Sequence, residues 1–221
     1  MKVLIFDTET TGLVPKNASF YATSEWPYII QLSYILFNVK TQKILKYKDS
    51  IIKLDESIEI SKESTDVHGI TRELSNERGE DIKNVLKDLQ DSMKEAELIV
   101  AHNISFDKRI LIVESIRNKM RSGFIVDGKH KPEYCSMKSS IDICKIERVG
   151  NNGEKYYKFP TLLELHQYLF KDEKAPNNLH NSMVDVLICL RCFCKLKYNY
   201  DTRSIGCRTY RTLCKEFKLK K

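Results

Sequence analysis

The feature that most constrains the fold is a short apolar run at the start of the chain that leads directly into acidic and turn-forming residues. Residues 3–6 read Val-Leu-Ile-Phe, and residues 7–12 read Asp-Thr-Glu-Thr-Thr-Gly. An apolar run of this length, broken by a turn, predicts a buried strand. If extended geometry persists through Thr8, the side chains of Asp7 and Glu9 project to the same side of a sheet.

The order of the later elements favours one α/β domain. In chain order, the hydrophobic pattern predicts strands over 29–39 and 44–52, a helix over 80–93, a strand over 98–101, a helix with Ser105 as its N-cap, a short strand over 140–143, and helices over 162–169 and 182–196. Strands followed by helix, strand and helix predict a mixed β-sheet flanked by α-helices. A ribonuclease H-like arrangement satisfies this order.

Four polar stretches connect these elements and are predicted as loops. They cover residues 14–28, 122–134, 147–158 and 171–178. The first is too long for a bare hairpin and contains Phe20, Tyr21 and Trp26, so we expect it to fold over another part of the protein. The pattern does not assign a role to the first three.

Composition restricts the class of protein. The chain has 221 residues, of which 42% are hydrophobic and 30% charged, as in an ordinary globular domain rather than a disordered chain. The first apolar run is too short for a signal peptide, and no apolar run reaches the length of a membrane span. We therefore expect an intracellular protein, cytoplasmic or nuclear, that is not secreted and has no membrane partner.

The cysteines favour a reducing compartment. Seven cysteines, an odd number, are spread along the chain, which is more typical of free buried thiols than of a disulfide framework. Cys189, Cys192 and Cys194 have a spacing that resembles a metal site. Because they lie inside an apolar helical run without a second ligand pair, we interpret them as core residues.

The positive charge is concentrated at the C-terminal end. The net charge is +7, and residues 195–221 contain nine Lys and Arg against Asp201 and Glu216, so the remaining 28 basic and 28 acidic residues cancel. This segment also carries Tyr198, Tyr200, Tyr210 and Phe217. It could neutralise phosphates and stack on bases, or it could be a solvated helix and tail. Both interpretations stay open.

Two further acidic residues lie at the starts of predicted helices. Asp107 follows the buried strand in the sequence Ala-His-Asn-Ile-Ser-Phe-Asp, and Asp185 lies in the first turn of the last long helix, five residues after His180. Each position alone is common for an aspartate, because the helix dipole tolerates a carboxylate there. Together with Asp7 and Glu9 they form an ordered set.

This set resembles the DEDDh exonucleases, the family of the bacterial proofreading epsilon subunit, ribonuclease T, oligoribonuclease and the three-prime repair exonucleases. The matching segments are 6–13, 67–71, 101–107 and 180–185, in the family's order. The resemblance implies an exonuclease domain over residues 1–196, with residues 197–221 as a basic extension of the same globule. Ser182 and Val186 depart from the alanines often found at these positions.

The resemblance implies a site for two Mg²⁺ ions, with Mn²⁺ as a substitute, held by Asp7, Glu9, Asp107 and Asp185. Mg²⁺ prefers oxygen ligands, and a pair of such ions about 4 Å apart can activate water and stabilise the leaving oxygen. His180 would be the general base. A continuous helix would point His180 and Asp185 about 140° apart, so we expect His180 to lie in the loop before the helix.

The resemblance also implies contacts with the terminal nucleotide by Thr10, Leu13, His68, Asn103 and Phe106. His68 could instead form a structural turn, and Leu13 and Phe106 could be core residues. His102 follows a buried strand, where hydrogen bonding to the backbone is the more common role. We expect His130 at the surface and His166 on a helix face.

The predicted function is a 3′→5′ exonuclease that releases nucleoside 5′-monophosphates from single-stranded or frayed DNA, in proofreading, repair or degradation. The alternatives are the same hydrolysis on RNA, as an exoribonuclease or oligoribonuclease, and a non-catalytic nucleic-acid-binding module. The predicted partner is a nucleic acid with a free 3′ end. A polymerase or other replication partner and a homodimer are left open.

Overall fold

The computed structural model describes residues 1–171 and 179–219. Its strands are β1 Lys2–Thr10, β2 Ile29–Asn38, β3 Lys43–Ile51, β4 Leu98–Ala101, β5 Ile125–Val126, β6 Lys129–His130, β7 Glu133–Cys135, β8 Glu147–Val149 and β9 Lys155–Tyr157. Five of them form one sheet in the order β3-β2-β1-β4-β7. The pairs β1–β2 and β2–β3 are antiparallel, whereas β1–β4 and β4–β7 are parallel. The sheet is mixed, as predicted.

Helices cover both faces of this sheet. They are α1 Lys62–His68, α2 Arg72–Arg78, α3 Ile82–Glu95, α4 Ile104–Arg117, α5 Ile141–Cys144, α6 Leu162–Leu169, α7 Ser182–Tyr198 and α8 Arg208–Glu216. Side chains alternate along β1, because successive residues of a strand face opposite sides. Leu4 and Phe6 join one core with α3 and α4, while Val3 and Ile5 join a second core with α7 and α8. This confirms the α/β fold of the ribonuclease H-like class.

Two local predictions are wrong. The predicted strand over 140–143 is a 3-10 turn, Lys138–Ser140, followed by α5. The Ser140 hydroxyl donates to the carbonyl of Ser136, four residues back, at 2.7 Å, a local bond that favours a helical turn. The N-cap of α4 is Asn103 rather than Ser105. Asn103 adopts a left-handed backbone with φ of 61°, which turns the chain sharply after β4.

The loop over residues 14–28 folds back onto the domain, as expected. Its Trp26 is buried and donates from Nε1 to the carbonyl of Ser19 at 2.9 Å. The guanidinium of Arg117 at the end of α4 donates to the carbonyls of Thr23 and Trp26. The stretches 122–134 and 147–158 contain the small hairpins β5–β6 and β8–β9. Most of the loop predicted over 171–178 lies outside the described residues.

The other side of the sheet is closed by the C-terminal helices. Cys189, Cys192 and Cys194 are free and buried in α7, which confirms their assignment to the core. Tyr210 and Leu213 of α8 are buried beside them. Within the ranges 1–171 and 179–219, no helix is long and apolar enough to cross a membrane.

Candidate active site

Strand β1 carries two acidic side chains to one face of the sheet. It extends to Thr10, beyond the predicted apolar run, and pairs Asp7 with Ser33 and Glu9 with Gln31 of β2. The extended geometry therefore continues through Thr8, and Asp7 and Glu9 lie on the α7 side with Val3 and Ile5. The register of the β1–β2 pair shifts between Glu9 and Thr10. The acid pair thus occupies the last regular positions of the central strand.

Asp107 reaches this strand from α4. It lies in the first turn of α4, which begins soon after β4 ends, and it is buried. Its Oδ1 accepts two hydrogen bonds from Thr8, one from the backbone N–H at 3.0 Å and one from the hydroxyl at 2.8 Å. These bonds fix the carboxylate against β1. Because β1 and β4 are parallel, β1 and α4 place their acids at the same edge of the sheet.

Asp185 lies in the first turn of α7, and His180 lies just before that helix. Asn181 caps this helix by accepting from the backbone N–H of Val184, so His180 lies in the preceding loop, as predicted. His180 has a left-handed backbone with φ of 71°, and its N–H donates to Oδ2 of Asp185 at 3.2 Å. One potential ligand atom from each of Glu9, His180 and Asp185 lies within 4.8 Å of the other two.

The four carboxylates repel one another in a poorly hydrated site. Burial, followed by the charges of Asp107, Asp185 and Glu9, raises the pKa of Asp7 well above its usual value. Burial and the charges of Asp185 and Asp107 raise the pKa of Glu9 to about 8. Burial raises the pKa of Asp107 and of Asp185 to about 7 each, against hydrogen bonds from Thr8 and His180 that lower them. Four like charges can therefore coexist here only when positive charge is supplied.

The donor set fits hard divalent cations. It consists of carboxylate oxygens with one imidazole at the edge, the ligand type that Mg²⁺ and Mn²⁺ prefer. Oδ1 of Asp185 is buried and has no hydrogen-bond partner among the described residues. A buried carboxylate oxygen without a donor is costly, and a cation would satisfy it. The residues present thus fit a hard divalent cation.

The residues predicted to contact substrate differ in their exposure. Leu13 is 91% exposed, so it is available for contact and is not a core residue. Phe106 is half-buried against the α3–α4 core. The Thr10 hydroxyl donates to the carbonyl of Gly12 at 2.7 Å, and Oδ1 of Asn103 accepts from the hydroxyl of Ser105 at 3.1 Å. The substrate roles of these residues stay predictions.

The two histidines that flank the centre have different environments. Nδ1 of His68 accepts from the N–H of Ile70 at 3.0 Å, so a neutral ring carries its proton on Nε2. Burial lowers the pKa of His68, and the charge of His180 lowers it further. His102, in contrast, contacts the hydroxyl of Ser136 at 3.0 Å and the carbonyl of Pro160 at 3.1 Å, and burial lowers its pKa to about 4. These bonds support the structural interpretation of His102.

The remaining two histidines lie away from the centre. His130 is exposed, as expected. His166 lies on a face of α6 that is buried, and its Nε2 is 3.1 Å from the guanidinium of Arg191 in α7. His166 therefore joins two helices of the core rather than facing solvent.

Sequence reasoning missed three contributors to the site. Thr8 holds Asp107, and its place between two acids was the only signal. The hydroxyl of Ser182 donates to the carbonyl of Asp7 at 2.7 Å, which ties the start of α7 to β1. The N–H of Ser182 donates to Oε1 of Gln31 at 3.2 Å. Ser182 thus carries a positioning contact.

The C-terminal end of α8 also borders the centre, which the sequence did not predict. A cavity of about 420 Å³ lies between the end of α1, the start of α7 and the end of α8. It is lined by His68 and His180 on one side and by Glu216, Phe217 and Lys218 on another. The end of the basic segment therefore lies close to the two histidines, although Glu216 follows His180 by 36 residues in sequence.

Comparison with known proteins agrees with this geometry. The model of the RNase T family, described as exonuclease, matches residues 4–193. No curated protein matches the chain in sequence. Escherichia coli exonuclease I in complex with a dT13 oligonucleotide has a TM-score of 0.60 and 13% identity, over 88% of this chain and 41% of that chain.

Two other solved structures give similar values. The zinc-bound form of the E. coli exonuclease I–ssDNA complex has a TM-score of 0.62 and 16% identity, over 90% of this chain and 41% of that chain. Exonuclease I from Methylocaldum szegediense, which is moderately thermophilic, has a TM-score of 0.59 and 14% identity over the same shares. The chain spans about two fifths of the length of these proteins, and the likeness shows the fold.

The family model covers most of the chain, including the four acids from β1, α4 and α7 and the loop histidine. These residues are the ones on which the resemblance in sequence rested. The chain belongs to the RNase T exonuclease family, the DEDDh group of 3′→5′ exonucleases.

Proposed function

We propose that this chain is a divalent-metal-dependent 3′→5′ exonuclease that releases nucleoside 5′-monophosphates, with single-stranded or frayed DNA as its substrate. The observation that carries the proposal is the convergence of four carboxylates from β1, α4 and α7 beside an exposed loop histidine. Such a cluster is unfavourable for a purely structural role, since burial and mutual repulsion disfavour its charged form. A catalytic role accounts for it.

Asp7, Glu9, Asp107 and Asp185 would hold two Mg²⁺ ions, which Mn²⁺ can replace. When bound, such ions lower the pKa of the attacking water and stabilise the leaving 3′ oxygen. Asp107 and Asp185 hold fixed positions because Thr8 binds Asp107 and the backbone of His180 binds Asp185. That preorganisation keeps the acids in place before substrate arrives.

His180 would accept the proton from the attacking water. Its side chain is exposed and lies next to Glu9 and Asp185, so the imidazole can reach a water held by the carboxylate centre. Imidazole titrates near neutral pH, which suits a general base. The left-handed backbone of His180, held by its bond to Asp185, sets the direction of the ring.

The terminal nucleotide would lie between the exposed Leu13 and the half-buried Phe106, with His68 near its sugar. Leu13 follows β1, the strand that carries Asp7 and Glu9, and Phe106 immediately precedes Asp107. Thr10 and Asn103 would orient the 3′ hydroxyl. The solved complexes of exonuclease I with dT13 and dA16 oligonucleotides support DNA as the substrate.

The test is digestion of matched DNA and RNA oligonucleotides, labelled at either end, in Mg²⁺, Mn²⁺ or EDTA. We expect 5′-labelled DNA to shorten one nucleotide at a time, 3′-labelled DNA to release its label as a mononucleotide, and EDTA to stop both. Asp107→Asn should be inactive. Asp127→Asn makes the same chemical change in the exposed turn between β5 and β6 and should retain activity.

The result could contradict the proposal in two ways. Shortening from the 5′ end, or activity that persists in EDTA, would refute the direction or the metal requirement. Faster digestion of RNA than of DNA would show that RNA is the preferred substrate, and the proposed reaction would be unchanged.

A further inference from the structure

Helix α8 is held firmly in the second core by one of its faces. Tyr210, Leu213 and Cys214 are buried, and the Tyr210 hydroxyl donates to the carbonyl of Leu187 in α7 at 3.1 Å. Beyond the helix, Leu219 is also buried, and its N–H donates to the carbonyl of Cys214 at 2.8 Å. The helix therefore has a fixed orientation, and its opposite face is presented to solvent in a defined position.

That opposite face is strongly basic. Arg208, Arg211 and Lys215 have helical spacings of three and four residues, lie on one face, and are exposed. With Arg203 they border a cavity of about 740 Å³. Across residues 1–171 and 179–219, no carboxylate forms an ion pair with Arg208, Arg211 or Lys215.

The acidic residue in this cavity is already neutralised. Asp201 accepts two hydrogen bonds from the guanidinium of the buried Arg191, at 2.7 and 2.6 Å. The Arg191 charge lowers the pKa of Asp201, so the carboxylate is occupied by a partner in the core. Arg208, Arg211 and Lys215 consequently present positive charge without an ion-pair partner among the described residues, beside room for a ligand, which is a favourable environment for an anion.

The position of α8 links this charge to the active site. The helix has nine residues and is about 13 Å long. Its far end contributes Glu216, Phe217 and Lys218 to the cavity that contains His68 and His180. Lys215 immediately precedes Glu216, so the basic face begins next to a residue that lines this cavity and extends one helix length away from it.

We propose that the basic face of α8, formed by Arg208, Arg211 and Lys215, binds phosphates of the substrate strand on the 5′ side of the scissile nucleotide. The inference rests on the proposed function for the direction of the strand. Binding would be independent of base sequence, because the cations contact the backbone. It would depend on salt, since each phosphate neutralised on a single strand contributes about 0.7 to the slope of log K against log salt.

The experiment compares two variants that lose the same amount of charge. One carries Arg208→Glu, Arg211→Glu and Lys215→Glu, and the control carries Lys40→Glu, Lys83→Glu and Lys87→Glu, exposed lysines that lie outside α8. Binding of a 5′-labelled 16-nucleotide DNA strand and of a labelled dinucleotide is measured in EDTA at several salt concentrations. EDTA prevents cleavage, so binding is read without turnover.

We expect the α8 variant to lose at least about tenfold in affinity for the 16-mer and its salt slope to fall by about 2, the value for three lost phosphate contacts. The control should change far less, because distant exposed charges are screened. A version with glutamine at the three α8 positions keeps the test valid if charge reversal disturbs folding. Melting curves verify the fold of each variant.

Three outcomes would overturn the inference. Equal affinities and slopes in the α8 variant and the control would leave the face free for a different anionic partner, such as an acidic protein. An equal loss for the dinucleotide and the 16-mer would place the contact in the active-site cavity instead. An unchanged slope with weaker binding would exclude phosphate contacts. Failure of the proposed function is distinguishable, since it would show as absent cleavage by the wild-type protein while the binding contrast remained.

Discussion

Like charges are concentrated in two regions of this molecule, one buried and the other exposed. The carboxylate centre places Asp7, Glu9, Asp107 and Asp185 together at the end of the central strand, where burial raises the pKa of every one of them. The basic face of α8 places its cations at the surface, where water and salt screen them. Burial, rather than the number of charges, decides whether such a cluster costs stability.

The fold explains this difference. Strand β1 lies in the middle of the sheet, and α7 packs against the face that carries Asp7 and Glu9, so burial disfavours their charged forms. In α8, the apolar residues face the core and the cations lie opposite them, so each long side chain keeps its charged end in water. The carboxylate centre requires a cation before all four acids can ionise. The basic face of α8 can remain charged without a ligand at little cost in stability.

The largest contrast should come from removing one charge in each region. Asp185→Asn should reduce hydrolysis below detection, because it removes a predicted metal ligand, yet raise the melting temperature in EDTA by relieving repulsion. Arg211→Gln should change the free energy of unfolding by no more than about 0.5 kcal/mol, as expected at an exposed position. Steady-state hydrolysis and thermal melts in EDTA measure both effects. A destabilised Asp185→Asn protein would show that the centre is not under electrostatic strain.

His180 lies beside the carboxylate centre and lines the cavity that the end of α8 also borders, and its replacement should have a smaller effect on catalysis. His180→Ala should slow the chemical step by about 10²-fold, the range for loss of a general base, with little change in strand binding. His130→Ala, at an exposed position in β6, is the matched control and should behave as wild type. Single-turnover cleavage separates the chemical step from binding. Wild-type rates at neutral pH would mean that water is activated without the imidazole.

The sequence predicted the carboxylate centre better than it predicted the surroundings. Alternation along a strand is a local rule, so Asp7 and Glu9 could be placed on one face from their spacing alone. The position of His180 followed from helical geometry in the same way. The start of α4 could not be predicted, because Asn103 uses a left-handed backbone instead of a side-chain cap. Helix propensity does not distinguish a helix that begins with a left-handed residue from one that begins with a side-chain cap.

Contacts between distant segments were the other missing information. The hydroxyl and N–H of Thr8 both bind Asp107, 99 residues away, and no local pattern encodes that pair. The same holds for the end of α8, where Phe217 and Lys218 share a cavity with His68 and His180. The composition of residues 195–221 showed that positive charge was concentrated there. Only the packing of Tyr210 and Leu213 shows which face of α8 is exposed to solvent.

The most direct test of the comparison is the pH dependence of stability without metal. The pKa of Glu9 is raised to about 8 and those of Asp107 and Asp185 to about 7, all above the values near 4 of an unfolded chain. Below pH 4 these groups are protonated in both states. As pH rises from 4 to 8 the unfolded chain releases their protons first, so the free energy of unfolding in EDTA should fall across this window and level off above it.

The expected decrease is on the order of 2 kcal/mol or more, because each pKa unit corresponds to about 1.4 kcal/mol. Chemical denaturation in EDTA at pH 5, 6, 7 and 8 measures it. Saturating Mg²⁺ should abolish most of the decrease, since a bound cation favours the ionised carboxylates and stabilises the folded state. Asp107→Asn should reduce both the pH dependence and the Mg²⁺ effect, whereas the glutamine variant of the α8 face should retain both. If stability in EDTA were flat between pH 4 and 8, the four acids would already be compensated without metal, and the contrast between a buried and an exposed cluster of charge would not hold.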